Sequence, residues 1–229
     1  MTLDNLKILA RAYVPGAKTN VVSDTVVELI LNNGAVEVAA LTICLKTNKK
    51  FNVVADQREY LLSSVLGDFL VMDDPGVWWN DGTSWKQLHP KTMKWLDENR
   101  MNWRNEASGD PMYYYQESDT IGFHPKPDTT LTEGFHIYYG RKPVLMTAAE
   151  HYAFEGITEI THLSILDEAI LYYFKWKVQP ALNKDSADDF RRNEYAFKTE
   201  VALKKAMLAR RPDMSASRYT QMQGAKVRP

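Results

Sequence analysis

Apolar residues between positions 163 and 178 recur with a helical period. Leu163, Leu166, Ile170 and Phe174 fall at i, i+3, i+7 and i+11, while Ile165, Leu171, Tyr173 and Trp176 lie off that stripe. The pattern predicts a helix apolar over much of its circumference, which other helices must enclose. Asp167 and Glu168 near its start and Lys175 and Lys177 near its end suit the helix dipole. Ser164 with Asp167 reads as a capping box, and Pro180 is expected to block extension.

Two helices are predicted before it. The first carries Leu3, Leu6, Ala10 and Tyr13 and ends at Pro15-Gly16. The second opens on Ser23 as N-cap with Asp24 in its first turn, and its stripe is Val27, Ile30, Gly34, Val38, Leu41 and Leu45. Asn33-Gly34 would suit a hairpin, but the unbroken stripe and the Ala-rich second half favour the helix. Gly34 then marks close contact with a neighbouring helix. After a short Asn183-Lys184-Asp185 link, Ser186 and Asp189 make a capping-box pattern opening a long helix striped by Phe190, Phe197, Val201 and Leu208, stopped by Pro212. The short link predicts antiparallel packing on the central helix.

Between residues 51 and 143 the period changes to short strand-like runs between turn residues, a stretch holding five of the six tryptophans. Strands are expected at 51–54, 59–62, 69–72, 77–79, 84–88, 112–115, 121–124 and 135–139, with a hairpin at Asn80-Asp81-Gly82-Thr83 and a short helix from Pro90 to Glu98. Asp73-Asp74-Pro75-Gly76 is expected to close the third strand. The predicted fold is α+β: a helical bundle of residues 1–49 and 145–211, an inserted antiparallel β module or small barrel at 50–144, and an extended C-terminal tail at 212–229.

Charge alters this picture only at the end of the chain. From residue 204 onward seven basic residues face one acid, Asp213, giving +6, so the preceding residues sum to −7. A basic tail on an acidic body suggests an acidic partner, or like subunits meeting tail to body. Arg210, Arg211, Arg218, Tyr219, Met222, Lys226 and Arg228 mix cations with side chains that interfaces favour. A protein groove suits them better than nucleic acid. A single cysteine, Cys44, excludes an intrachain disulfide and reads as a small buried hydrophobe. With no long apolar run and no leader-like start, the expectation is a soluble, intracellular chain without a membrane span.

Candidate chemistry is sparse. The five histidines show no metal-ligand spacing, although His124 and His136 could meet across adjacent strands. No nucleophile elbow, phosphate loop or dinucleotide fingerprint is present, so neither an enzyme, a metal nor a cofactor is expected. Trp78, Trp79 and Trp85 surround one hairpin and could stack on sugars or bases, or serve packing and subunit contact, which is preferred. Trp78 and Trp79 are adjacent in a strand and cannot share a face.

Several segments resemble the head-to-tail adaptor (connector, head-completion) proteins of tailed bacteriophages: residues 56–61 (Asp-Gln-Arg-Glu-Tyr-Leu), 109–114 (Gly-Asp-Pro-Met-Tyr-Tyr), 122–128 (Gly-Phe-His-Pro-Lys-Pro-Asp) and 136–139 (His-Ile-Tyr-Tyr). Asp56 stands where such proteins commonly carry Gly, and Ser63 where they carry Pro. The resemblance implies a non-catalytic virion protein of the neck, made in the host cytoplasm. It implies a ring of about twelve copies that joins the portal vertex to the tail, with DNA only passing through the lumen. The C-terminal segment would dock on the portal protein, and the tryptophan hairpin would meet the next tail or neck component or an adjacent subunit. The alternative is a carbohydrate- or nucleic-acid-binding module using that hairpin.

Overall fold

A computed structural model describes residues 2–148, 154, 164–182 and 187–209. Helix α1 (Leu3–Tyr13) starts on Thr2, whose hydroxyl accepts the Asn5 N–H, and ends just before Pro15. Helix α2 (Asp24–Thr42) starts on Ser23, whose hydroxyl accepts the Val26 N–H at 3.4 Å. α1 and α2 run antiparallel, joined by Lys7–Glu28 and Arg11–Asp24 ion pairs.

Strand β1 (Lys46–Val53) follows at once, five residues earlier than the sequence pattern suggests. Its first half is polar because β1 is a sheet edge, where lysines block further pairing. Then come β2 (Glu59–Leu61), α3 (Leu62–Leu66) and β3 (Phe69–Asn80). β3 runs straight through Asp73-Asp74-Pro75-Gly76, the expected turn, taking up the irregularity as a register shift between Met72 and Val77. β4 (Trp85–Gln87) completes the expected hairpin, and β5 (His89–Pro90) takes Pro90 into a strand. Helix α4 (Met93–Asn99) therefore starts later than expected, capped by Thr92. A 3₁₀ turn (Trp103–Asn105), β6 (Tyr113–Glu117), β7 (Thr120–His124) and β8 (Leu131–Arg141) complete the module.

The strands form two four-stranded sheets, in the orders β1-β8-β3-β4 and β2-β7-β6-β5. All pairings are antiparallel except β5 with β6. The sheets face each other across one apolar core. Phe123 of the second sheet stacks on Phe135 of the first with ring centres 3.6 Å apart, and Tyr60 packs edge-on against both. Because β7 and β8 lie in different sheets, His124 and His136 do not meet.

The second core belongs to the helices. α5 (Ser164–Leu182) and α6 (Ala187–Ala209) are antiparallel: Glu168 of α5 holds Lys204 of α6 at 3.1 Å, and Gln179 accepts from Asn193 at 3.4 Å. Leu166, Ile170, Phe174 and Val178 of α5 are buried against α1, α2 and α6. Pro180 sits inside α5, which continues to Leu182, so this proline does not end the helix. Its missing N–H removes only the one helical bond to the Trp176 carbonyl, close to the end of the helix where carbonyls lose their intrahelical donors anyway. Leu163, the Asn183-Lys184-Asp185 link and Ser186 lie outside the described residues.

Gly34 is where α2 crosses α5, as its position in the stripe suggested. A methyl group there would stand 3.0 Å from Tyr173 Cδ1 and 3.2 Å from Ile170 Cγ2. The buried face of α2 is Val27, Leu31, Gly34, Ala35, Val38, Ala39 and Thr42, rotated from the expected stripe; Ile30 is half-buried and Leu41 exposed. By length and composition α2 is also apolar enough to cross a membrane, and it serves here as a core helix of the bundle.

Candidate partner-binding surfaces

The three tryptophans of the hairpin separate by strand alternation. Trp79 points inward, 1% exposed and 5.0 Å from Phe135, so it is a core residue with no surface to offer a partner. Trp78 and Trp85 point outward. Across the first sheet Trp78 is level with His136 and Gln87, and His136 with Lys50. The result is a flat outer face carrying Trp78, Trp85, His136 and Tyr138. Trp85 meets His136 edge-on at 5.7 Å, His136 and Tyr138 rings are 4.5 Å apart, and the Lys50 ammonium lies 5.3 Å over the Trp85 ring. His136 Nε2 is 2.9 Å from Asn48 Oδ1. Burial and then the nearby Lys50 hold the His136 ring below its usual pKa, and Lys50 itself pairs with Glu133 at 3.3 Å at the edge of the face.

A second aromatic layer, not among the expectations from the sequence, covers the other sheet. Leu96, Trp103 and Tyr115 form a small core under α4 and the 3₁₀ turn. Cations clasp it from outside: Arg58 and Arg104 lie 5.0 and 4.5 Å over Trp103, and Lys91 lies 4.3 Å over Trp95. Arg58 also donates to the carbonyls of Trp103 and Arg104, tying the turn down. His124 is buried beneath this layer, 3.2 Å from Glu106, and burial holds its ring below the usual histidine value. The signal for this layer lies in the alternation of Lys91, Trp95, Arg100, Trp103 and Arg104, with cations spaced to reach each ring.

Asp56 sits where the backbone takes the left-handed conformation that glycine adopts most freely. Its φ is +64°, and as Asp it accepts from Ser108 and pairs with Lys126 at 3.0 Å across the loop. Cys44 is half-buried against the bundle core, where burial raises its thiol pKa. Among the described residues no group of three or more His, Cys, Asp or Glu is placed to hold a metal ion. An open cleft of about 400 Å³ lies between Tyr13–Gly16 and the Lys175, Gln179 and Leu182 side of α5. Arg210, Arg211, Arg218, Tyr219, Met222, Lys226 and Arg228 lie outside the described residues.

Among the described residues the two sheets carry exposed aromatic and cationic side chains. No curated protein matches the chain. A family model described as SU10 adaptor protein matches residues 1–226. The chain therefore belongs to the SU10 adaptor protein family, a phage head-tail adaptor family of structural virion proteins at the head-tail junction.

Proposed function

We propose that copies of this chain form a ring that joins the portal vertex of a phage head to its tail, with the basic C-terminal segment docking on the portal. The observation that carries the reading is the reach of the family match to residue 226, which brings the cationic segment inside what the family shares. Residues 1–49 and 145–211 would build the wall of the ring, and the β module, 50–144, would meet the next tail or neck component through Trp78 and Trp85. Residues 212–229 would reach the portal. DNA would pass through the lumen without being read.

The test mixes the purified full chain with portal-bearing heads and follows co-sedimentation and ring formation by electron microscopy. The full chain should attach as a ring, and a chain lacking 212–229 should fold but stay in solution. Normal attachment of the shortened chain would sink the portal assignment.

A second reading, stacking of sugars or bases on the hairpin, draws on the exposed Trp85. Lys50 already occupies one face of that ring, so a stacking ligand would have to displace it. Loss of glycan or single-stranded nucleic-acid binding in Trp85→Ala, with attachment to heads intact, would favour this second reading.

A further inference from the structure

Helix α2 carries two apolar faces, and the bundle uses only one. Opposite the buried face, Val26, Leu29, Asn33, Val36 and Ala40 follow one another at alternating steps of three and four. That is the spacing of a coiled-coil seam, with a single asparagine at its middle. Leu29 is 60% exposed and Val26 44%. A surface helix normally turns polar residues to water on this side, so the seam is built for another helix.

One other helix offers a matching stripe. On α6 the face away from α5 presents Tyr195, Thr199 and Ala202, again at steps of four and three, with Tyr195 74% exposed and Leu203 beside it 51% exposed. Thr199 is the polar residue within this stripe, as Asn33 is within the other. Charges at the edges are opposite. Exposed Glu37 flanks the α2 seam, exposed Arg191 and Lys205 flank the α6 stripe, and none of the three makes a salt bridge among the described residues.

The directions agree as well. α1 is antiparallel to α2 and parallel to α5, with Tyr13 beside Tyr172 and Gly16 beside Leu182, and α5 is antiparallel to α6. Hence α2 and α6 run the same way, and a rotation about an axis along the helices sets α2 of one copy parallel to α6 of the next.

We infer that the outward seam of α2 is the docking site for α6 of an adjacent copy of this chain, the contact that closes the ring. The contact is heterologous, so an open arc keeps one free seam at one end and one free stripe at the other until the circle is complete. Levelling Asn33 with Thr199 brings Leu29 opposite Tyr195 and Val36 opposite Ala202. The inference rests on the ring reading above and adds the two faces that meet.

The experiment uses the full chain in a Cys44→Ser background, assembled on portal-bearing heads and treated with a short bismaleimide. Leu29→Cys with Tyr195→Cys in one chain should give a ladder of covalent multimers, and so should Val36→Cys with Ala202→Cys. Neither single-cysteine variant should cross-link. Covalent dimers from Leu29→Cys alone would mean that α2 pairs with α2 and would overturn the inference. A ring seen by microscopy without any ladder would overturn it while sparing the ring reading; no ring at all would overturn both. Leu29→Glu, a surface change that should leave the melting temperature unaltered, should raise the concentration needed for assembly about tenfold or more. An unchanged concentration would count against the contact.

Discussion

Gly122 offers the sharpest test of how the β module is built. It lies in the middle of β7, paired with Tyr115 of β6 on one side and Glu59 of β2 on the other. The Tyr115 ring crosses over it, and its hydroxyl donates to Glu59 Oε1 at 2.7 Å. A methyl group on Gly122 would stand 2.5 Å from Tyr115 Cε2 and nearer still to Cζ and the hydroxyl oxygen. Carbon atoms rest about 3.5–4.0 Å apart, so the ring would have to retreat by about 1 Å or more. It has nowhere to go, being 1% exposed and held edge-on by Trp103 at 5.6 Å.

Overpacking costs about 1–3 kcal/mol, and losing the hydrogen bond to a carboxylate about 1.5–3 kcal/mol. The gain of Ala over Gly in a strand returns at most about 1 kcal/mol. Gly122→Ala should therefore destabilise the chain by about 2–4 kcal/mol, lowering the melting temperature by about 5–15 °C. Scanning calorimetry would measure this. Tyr115→Phe, which keeps the ring, should cost less. Joined to Tyr115→Leu, Gly122→Ala should fall short of additivity by about 1 kcal/mol or more. A Gly122→Ala chain that melts at or above the parent would show that the ring does not lie over the glycine, and the reasoning would fail.

Other outcomes follow from the same structure. Burial holds His124 and His136 below the ordinary value of 6.5, so the unfolded chain binds protons that the folded chain refuses. Their contribution is intact above pH 6.5 and is lost as the pH falls from there through the depressed folded values. Melting temperatures measured from pH 7 to pH 5 should decline, and a His124→Gln, His136→Gln chain should decline less. Trp79→Ala should cost about 3–5 kcal/mol by denaturant titration, whereas Trp85→Ala should leave stability nearly unchanged. Asp56→Gly should be tolerated, since glycine adopts the positive φ freely, while Asp56→Val should lower the melting temperature clearly because a branched side chain resists it.

The sequence revealed which elements exist better than how they turn. The capping residue Ser23 and the crossing glycine of α2 were legible because each is a local requirement. The rotation of α2 was not, because its apolar residues surround it and only the neighbours decide which face is buried. Polar Lys46 to Lys50 hid the start of β1, since an edge strand is selected for not looking hydrophobic. The Pro75-Gly76 and Pro90 signals misled for a related reason: turn chemistry is local, and pairing with β8 and β6 outweighed it. Of the surface, the outward aspect of Trp85 and the inward one of Trp78 or Trp79 could be foreseen as a choice, but only the sheet order decides that Trp79 goes in.

Chain order gives the α2–α5 crossing a cost in time. α2 ends at Thr42 and its main partner begins at Ser164, about 120 residues later. At synthesis rates of about 5–20 residues per second, α2 leaves the ribosome roughly ten seconds before anything can cover Gly34 and its neighbours. Throughout that interval a helix apolar on both sides stands open to the cell, while the β module folds in between. The nascent chain is thus most exposed to aggregation early, and its yield in a host should depend on what shields α2 until α5 arrives.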